Sequence, residues 1–283
     1  MLGHTGAGKT SYMASMYRAM IDGVGGFSVR ATTTDAHDRL LALAEGVRTG
    51  HYPPGTAQHD AYDLTLRHHR ADLTGFRWQD YRGAALRDRS TEEQARQLVR
   101  DLAEADGIVV FADALQLVSE AVATVRMARI MLLLTDALAG RVRRTPVVLA
   151  LTKWDLVAER HSLDEVAAPF GTLVRAIENS ETVCGMIAPI SCGPRPMNVV
   201  LPVLWCLHVG VAADAQRSWD EAEVAGRAAV LMTVRAVFGG GDWGALARRE
   251  AVHHLSATWR SVSLADNARH LSRLVAAAGV PTF

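Results

Sequence analysis

This chain of 283 residues has little cysteine. Cys184, Cys192 and Cys206 are odd in number and lack C-x-x-C spacing. That excludes a disulfide scaffold or a cysteine-built zinc site and fits a reducing cytoplasm. Net charge is also missing. Thirty Lys and Arg residues cancel thirty Asp and Glu residues, so no bulk field draws the chain to nucleic acid or to a membrane surface. Long apolar runs are absent. The longest, Val199 to Ala213, contains Pro202 and His208 and is too short for a bilayer, so it reads as a buried helix. No signal peptide opens the chain, and no internal repeat or low-complexity segment interrupts it. What is present is a 49% hydrophobic content, enough to core one large domain, or one domain with an extension.

Residues 3 to 10 read Gly3-His4-Thr5-Gly6-Ala7-Gly8-Lys9-Thr10. This is a complete G-x-x-x-x-G-K-[ST] phosphate-binding loop, or Walker A motif. Its glycines let consecutive backbone N–H groups curl around a β-phosphate, and Lys9 adds a point charge across the β- and γ-phosphates. The Thr10 hydroxyl is placed to ligate Mg²⁺. A helix starting near Ser11 aims its positive end at the same anion. Gly3, Thr5, Gly6, Ala7, Gly8, Lys9, Thr10 and Ser11 are the candidate nucleotide contacts. A chance glycine-rich turn is the plain alternative, but all four fixed positions match. Only Met1 and Leu2 precede Gly3, whereas such a loop normally hangs from a strand of ~5–6 residues. The first strand is therefore expected to be a stub, through a misplaced start, fragmentation or a real loss. A misplaced start is the favoured explanation.

Periodicity then gives an alternating α/β order. Helices are expected over Ser11 to Asp22 and Asp35 to Gly46. Two strands, Ala61 to His68 and Phe76 to Asp80, are close enough to form an antiparallel hairpin. Ser90 to Glu93 reads as a capping box opening a helix. Gly107 to Ala112, Val147 to Leu151 and Met186 to Ile190 are apolar runs of the kind buried on both faces of a parallel sheet. Helices fill the gaps at Leu117 to Ala139, at Ser162 to Asn179 with a break at Pro169, and at Asn198 to Ala213. The result is a doubly wound, mostly parallel P-loop sheet with one antiparallel hairpin strand. After residue 213 only helices fit: Ser218 to Phe238, Asp242 to Ser261 and Leu264 to Ala278. Residues 1–213 are thus read as a nucleotide-binding domain and 214–283 as a helical extension.

Three further segments complete a set. Asp80-Tyr81-Arg82-Gly83 closes the second hairpin strand, where Asp80 can hold Mg²⁺ through a water and the Gly83 N–H can meet a γ-phosphate. Thr152-Lys153-Trp154-Asp155 follows a buried strand and matches [NT]-K-x-D. The Asp155 carboxylate can accept from guanine N1–H and the 2-amino group, while adenine would leave it unpaired. The Lys153 stem would lie along the base. Ser191-Cys192-Gly193 follows the next strand, where a backbone N–H can meet guanine O6. A plain turn is an equal reading of that segment.

Together these residues resemble the TRAFAC-class GTPases over about residues 1 to 213. The Thr10-Ser11 start, the long insert before the hairpin and Pro53-Pro54-Gly55-Thr56 make the chain most similar to bacterial double-GTPase domains of conflict systems. The resemblance implies GTP and GDP as ligands, Mg²⁺, location near defence genes and a nucleotide-controlled switch. It also implies a threonine before the hairpin that reaches Mg²⁺ and the γ-phosphate. Thr56 has that place, and Thr32, Thr33 and Thr34 compete for it. Lys9, Thr56 and Arg82 are the catalytic candidates. Ras-like enzymes orient the attacking water with a Gln after D-x-x-G, but here Ala84 and Ala85 follow. Thr5 also stands where a glycine would admit an arginine finger. Hydrolysis is therefore expected to be slow, with Arg82 or Arg87 as cis arginines unless they only pair with Asp88 or Asp101.

The histidines carry less. His68 and His69 on a strand should point to opposite faces, and His253 and His254 read as a solvated helix face. Two rivals stand beside the GTPase reading: a P-loop ATPase or kinase, and a non-hydrolysing binding module. Any protein partner would meet the switch segments or the C-terminal helices.

Overall fold

The computed structural model describes residues 1–53, 61–80, 92–238 and 243–283. The described chain is mixed α/β and divides into two compact units. One comprises Met1–Cys206 with Leu274–Phe283, and the other is Leu207–Arg273.

The first unit starts with helix α1 (Lys9–Asp22). Tyr12, Met16 and Met20 recur at four-residue spacing, with Met13 and Tyr17 beside them, and all five are buried. That stripe is why the segment is helical and why it packs on sheet residues. Tyr12 lies 4.9 Å from Phe111 and 6.0 Å from Trp78, ring centre to ring centre. A tight turn through Gly25 and Gly26, both at positive φ, leads into β1 (Phe27–Ala31). Helix α2 (Thr34–Arg48) follows, N-capped by the Thr33 hydroxyl.

Strands β2 (Ala61–His68) and β3 (Ala71–Gln79) form the expected hairpin. Its partner was not expected. β1 pairs antiparallel with β2, from Phe27 opposite His68 to Ala31 opposite Leu64. The antiparallel part is therefore a three-stranded sheet, β1-β2-β3, and not a single hairpin strand on a parallel sheet. Phe27, Val29 and Ala31 point inward while Arg30 is exposed, an alternation that half-burial imposes.

The parallel sheet has the order β4-β5-β6, with β4 (Ile108–Asp113), β5 (Thr145–Thr152) and β6 (Val183–Pro189). β4 and β5 are buried along their whole length, as continuous apolar runs require. Between the strands lie α3 (Glu92–Glu104), α4 (Ala114–Ser119), α5 (Ala121–Leu138), α6 (Leu163–Ala167) and α7 (Gly171–Glu178). The break between α6 and α7 is one 3-10 turn at Ala168–Phe170, containing Pro169, since proline cannot donate within a helix. One face of the sheet, including Val110, Leu149 and Leu151, packs with Ile130, Leu134, Phe170 and Leu173 into a core.

Met1 and Leu2 precede the loop at residues 3–10. The Leu2 N–H donates to Val109 at 2.8 Å and its carbonyl accepts from Phe111 at 2.7 Å, in a parallel bridge beside β4. The Met1 nitrogen donates to the Gln79 carbonyl of β3 at 2.6 Å. Two residues thus touch both the antiparallel and the parallel strands.

The far edge of β6 has a second addition that sequence reading missed. Residues 281–283 run antiparallel along it. Phe283 exchanges backbone bonds with Gly185 at 2.5 and 3.0 Å, and Ile187 donates to Pro281 at 3.0 Å. A Cβ on Gly185 would stand 2.1 Å from the Phe283 ring, so glycine is needed there for the ring to lie flat.

Among the described residues the C-terminal helices are two, where four were expected. Helix α8 runs unbroken over Leu201–Phe238 and α9 over Trp243–Ala276. The breaks expected near residues 214 and 262 do not occur: by the second, Ser261 and Asn267 are buried, and their side chains donate to the Thr258 and Ser263 carbonyls of the same helix, both at 2.8 Å. Within the second unit the two helices touch at small residues. The His254 Nδ1 donates to the Ala222 carbonyl at 2.6 Å, and a Cβ on Gly226 would come within 3.0 Å of that ring. His254 is therefore half-buried, and only His253 belongs to the solvated face. Among the described residues, no helix is long and apolar enough to cross a membrane.

Candidate functional site

The loop at residues 3–10 is shaped by backbone that few side chains tolerate. Gly6 and Gly8 have φ of 85° and 81°, the left-handed region that glycine enters without cost. A Cβ on Gly3 would stand 2.7 Å from the Phe111 carbonyl oxygen of β4, so only glycine lets the chain leave the sheet there. Gly8 caps α1 in the left-handed conformation and supplies no side-chain bond to the helix. With glycine as the N-cap, no side chain of that residue competes at the start of α1, and a helix end of that kind favours an anion.

Lys9 is buried, at 8% exposure, and its Nζ donates to the Gly3 carbonyl at 2.9 Å and to the His4 carbonyl at 3.3 Å. Burial lowers its pKa, and the nearby Asp80 carboxylate partly offsets that. Asp80 is itself buried at the end of β3, with its carboxylate 3.9 Å from Nζ. A dehydrated ammonium and carboxylate side by side beneath an uncapped helix end form a site that a phosphate and a divalent cation would complete. Thr10 lies one residue into α1, half-buried, while Thr5 and Gly6 are exposed at the loop's tip.

The Thr152-Lys153-Trp154-Asp155 segment stands against this loop. The buried Thr152 hydroxyl donates to the Ala7 carbonyl at 2.9 Å and lies 3.1 Å from the Ala112 carbonyl. Lys153 then turns the chain at φ 55°, a left-handed conformation unusual for lysine. Its ammonium pairs with the Asp113 carboxylate. Asp113 ends β4, is buried, and also N-caps α4 by accepting from Leu115 and Gln116 at 3.1 and 3.2 Å. Sequence reading missed Asp113. The signal was an acidic residue closing an apolar run directly before a helix.

Asp155 is exposed at the site's rim. Its position is fixed from the backbone, because its N–H donates to the buried Ser191 Oγ at 3.0 Å. The Trp154 N–H donates to the Ile190 carbonyl at 3.1 Å. The structure thus brings Ser191 to Asp155, and the Ser191 hydroxyl acts as the brace. Ser191 also exchanges backbone bonds with Met197. Cys192 is next along, packed beside Ala14, Ala44 and Val47. Burial pushes its thiol up to about 12, opposed by a Ser15 hydrogen bond and supported by the Asp155 charge. The Tyr52 hydroxyl reaches the Cys192 carbonyl at 3.4 Å.

Two of the competing threonines have structural work. Thr33 caps α2, and the Thr32 hydroxyl donates to the Asp63 carbonyl at 3.1 Å. Thr56, Arg82 and Gly83, together with Arg87 and the capping box at Ser90, lie outside the described residues. The histidine expectation is corrected. His69 follows the strand at φ 52°, so its ring lies 4.3 Å from that of His68, and His68 stacks on Phe27 at 4.4 Å. They are neighbours and do not point to opposite faces. Among the described residues no group of three His, Cys, Asp or Glu could hold a metal ion.

Residues 1–182 match the family described as Double-GTPase 2. The chain belongs to the Double-GTPase 2 family. No curated protein and no solved structure matches it significantly. The matched span of this Double-GTPase 2 chain contains the loop at 3–10, Asp80, Asp113 and Thr152 to Asp155. It stops before Ser191 and before α8 and α9.

Proposed function

We propose that the chain binds GTP and GDP with Mg²⁺ on a P-loop sheet and hydrolyses GTP slowly, as a nucleotide-controlled switch. One observation carries the reading. The segment holding the purine-sorting Asp155 is joined to the phosphate loop by the 2.9 Å bond from Thr152 to Ala7, so phosphate and base sites belong to one rigid piece.

In this reading the N–H groups of Thr5, Gly6, Ala7, Gly8, Lys9, Thr10 and Ser11 bind the phosphates. Lys9 gives up the Gly3 and His4 carbonyls to meet the β- and γ-oxygens. Thr10, Asp80 and Thr56 would hold Mg²⁺, whose chemistry is to neutralise charge between the β- and γ-phosphates. The Gly83 N–H meets the γ-phosphate. Asp155 accepts from the base edge, the Lys153 stem lies under the base, and the Cys192 N–H meets O6. Lys153 can do this while its ammonium stays on Asp113. Output comes from reordering of the segments around Thr56 and Gly83 by the γ-phosphate.

Ala84 and Ala85 supply no water-positioning side chain. Unassisted turnover is then on the order of 10⁻⁴–10⁻³ s⁻¹, the scale of GTPases without an activating arginine. The test is phosphate release under single turnover with Mg²⁺. The reading expects a slow release that Lys9→Ala abolishes. Release equal in the Lys9→Ala variant would overturn it. Tight binding without release would leave the non-hydrolysing module in its place.

A further inference from the structure

The second unit carries a surface that nothing in the nucleotide site uses. On α9, Val252, Leu255, Trp259 and Val262 are exposed at 66%, 58%, 75% and 47%. Their spacing is three, four, three, the spacing of a coiled-coil seam. The helix's other face holds its own core contacts through Ala257, Ser261, Leu264, Ala268 and Leu271. The apolar seam is therefore additional to the face that α9 buries within the chain. A tryptophan left three-quarters exposed between two valines and a leucine is a docking anchor.

The ends of the seam continue the same heptad with charge, Arg248 before Val252 and Asp266 after Val262, and both are exposed. This makes the seam complementary to itself reversed. In an antiparallel pair about the level of residue 257, Arg248 meets Asp266, Val252 meets Val262 and Leu255 meets Trp259. Each first-type heptad position then faces a second-type position, as antiparallel coiled coils require. A parallel pair would set Arg248 against Arg248 and Asp266 against Asp266. The flanking residues Ala251, Ser256, Thr258, Ser263 and Ala265 are small, which leaves room for a second helix to approach and for the Trp259 ring to lie across the join.

We infer that α9 is a dimerisation helix that pairs antiparallel with α9 of a second copy of this chain. The two-fold axis passes near the level of residue 257. The seam from 248 to 266 is about 27 Å long at 1.5 Å per residue, and the contact is isologous, so it closes at two copies. Asp266 already meets Arg269 on its own helix at 2.6 Å. The partner's Arg248 would join that pair as a second cation on the same carboxylate.

The test is sedimentation velocity on the full chain over about 1–100 µM, the range in which a standard small interface declares itself. A concentration-dependent dimer is expected. Trp259→Ala should weaken it by about 30-fold, the scale of a central aromatic anchor. Arg248→Asp and Asp266→Arg should each weaken it about tenfold or more by opposing like charges. The double variant restores both pairs. Mixing the two single variants should give a heterodimer in preference to either homodimer, because only that pairing sets Asp against Arg at both ends. Helical circular dichroism confirms that each variant is folded, and all three positions are exposed. A monomer throughout the range overturns the inference. So does a dimer indifferent to the charge reversals, or one in which the mixture shows no heterodimer. None of these readouts depends on nucleotide.

Discussion

The Thr152 hydroxyl donates to the carbonyl of Ala7, 145 residues earlier in the chain, at 2.9 Å. It links the end of β5 to the loop at residues 3–10. Both atoms are buried, and the Ala112 carbonyl at 3.1 Å completes the set. Thr152→Val keeps the shape and removes the donor, which leaves the buried Ala7 carbonyl without it. We expect about 1–3 kcal/mol of lost stability in urea unfolding, and weaker binding of GTP and GDP alike, since the loop and not the base edge is loosened.

The Lys153–Asp113 pair is asymmetric. The Asp113 side chain is 3% exposed and that of Lys153 40%. Lys153→Met strands a buried carboxylate, whereas Lys153→Met with Asp113→Asn removes both charges. Thermal melts should show the single lysine variant less stable than the double variant, because an uncompensated buried charge costs more than a missing pair. The reverse order would mean that Asp113 is held by its α4 cap and not by Lys153.

Asp155→Asn tests the proposed contact with the base. An amide keeps one acceptor but brings a donor to the place where guanine also donates. Affinity for GTP should fall by about 10²-fold or more, while xanthosine triphosphate, with a carbonyl at C2, should gain. Titration of both nucleotides on wild type and variant measures the crossover. The fold should be indifferent, because Asp155 is exposed and is anchored through its backbone to Ser191.

Cys192 makes stability fall in alkali. Its thiol is pushed up to about 12 from an ordinary 9.0 by burial, so the folded state keeps a proton that the unfolded state releases. The contribution is intact below pH 9 and is lost as pH rises from 9 towards 12. The slope is at most about 1.4 kcal/mol per pH unit, and less in proportion to the solvent that reaches the group. Comparing urea unfolding of wild type and Cys192→Ala at pH 8, 9 and 10 isolates it: the variant's curve should be the flatter.

At the sheet edge, Gly185→Ala places a methyl where the Phe283 ring lies. The ring must leave, and the antiparallel bonds of residues 281–283 go with it. Hydrogen exchange should rise at the amides of Gly185, Ile187 and Phe283, with β4 and β5 unchanged.

Several segments were legible in the sequence because the signals were local. Gly3 to Thr10, Asp80 and Thr152 to Asp155 are short strings that spacing singles out, and the fold brings them together, Lys9 beside Asp80 and Thr152 on Ala7. β2 was read to its residue because Tyr62, Leu64 and Leu66 alternate against polar neighbours. β1 was legible in principle, as Phe27, Val29 and Ala31 alternate too, but its five residues are few beside the glycines at 23, 25 and 26. Other features were not local. The Lys153–Asp113 pair spans 40 residues, and the Ser191 brace on Asp155 spans 36. The antiparallel bridge at 281–283 needs the space that Gly185 leaves for a ring far along the chain. The unbroken α9 escaped because Ser261 and Asn267, which read as a helix end, bond to carbonyls of their own helix instead of ending it.

The most direct measurement is calorimetric titration of the full chain with GTP, GDP and ATP in Mg²⁺, repeated on Lys9→Ala. The account expects saturable binding of GTP and GDP, ATP weaker by at least about 10²-fold, and no heat from the lysine variant. ATP binding as tightly as GTP, or equal heats from Lys9→Ala, would contradict it.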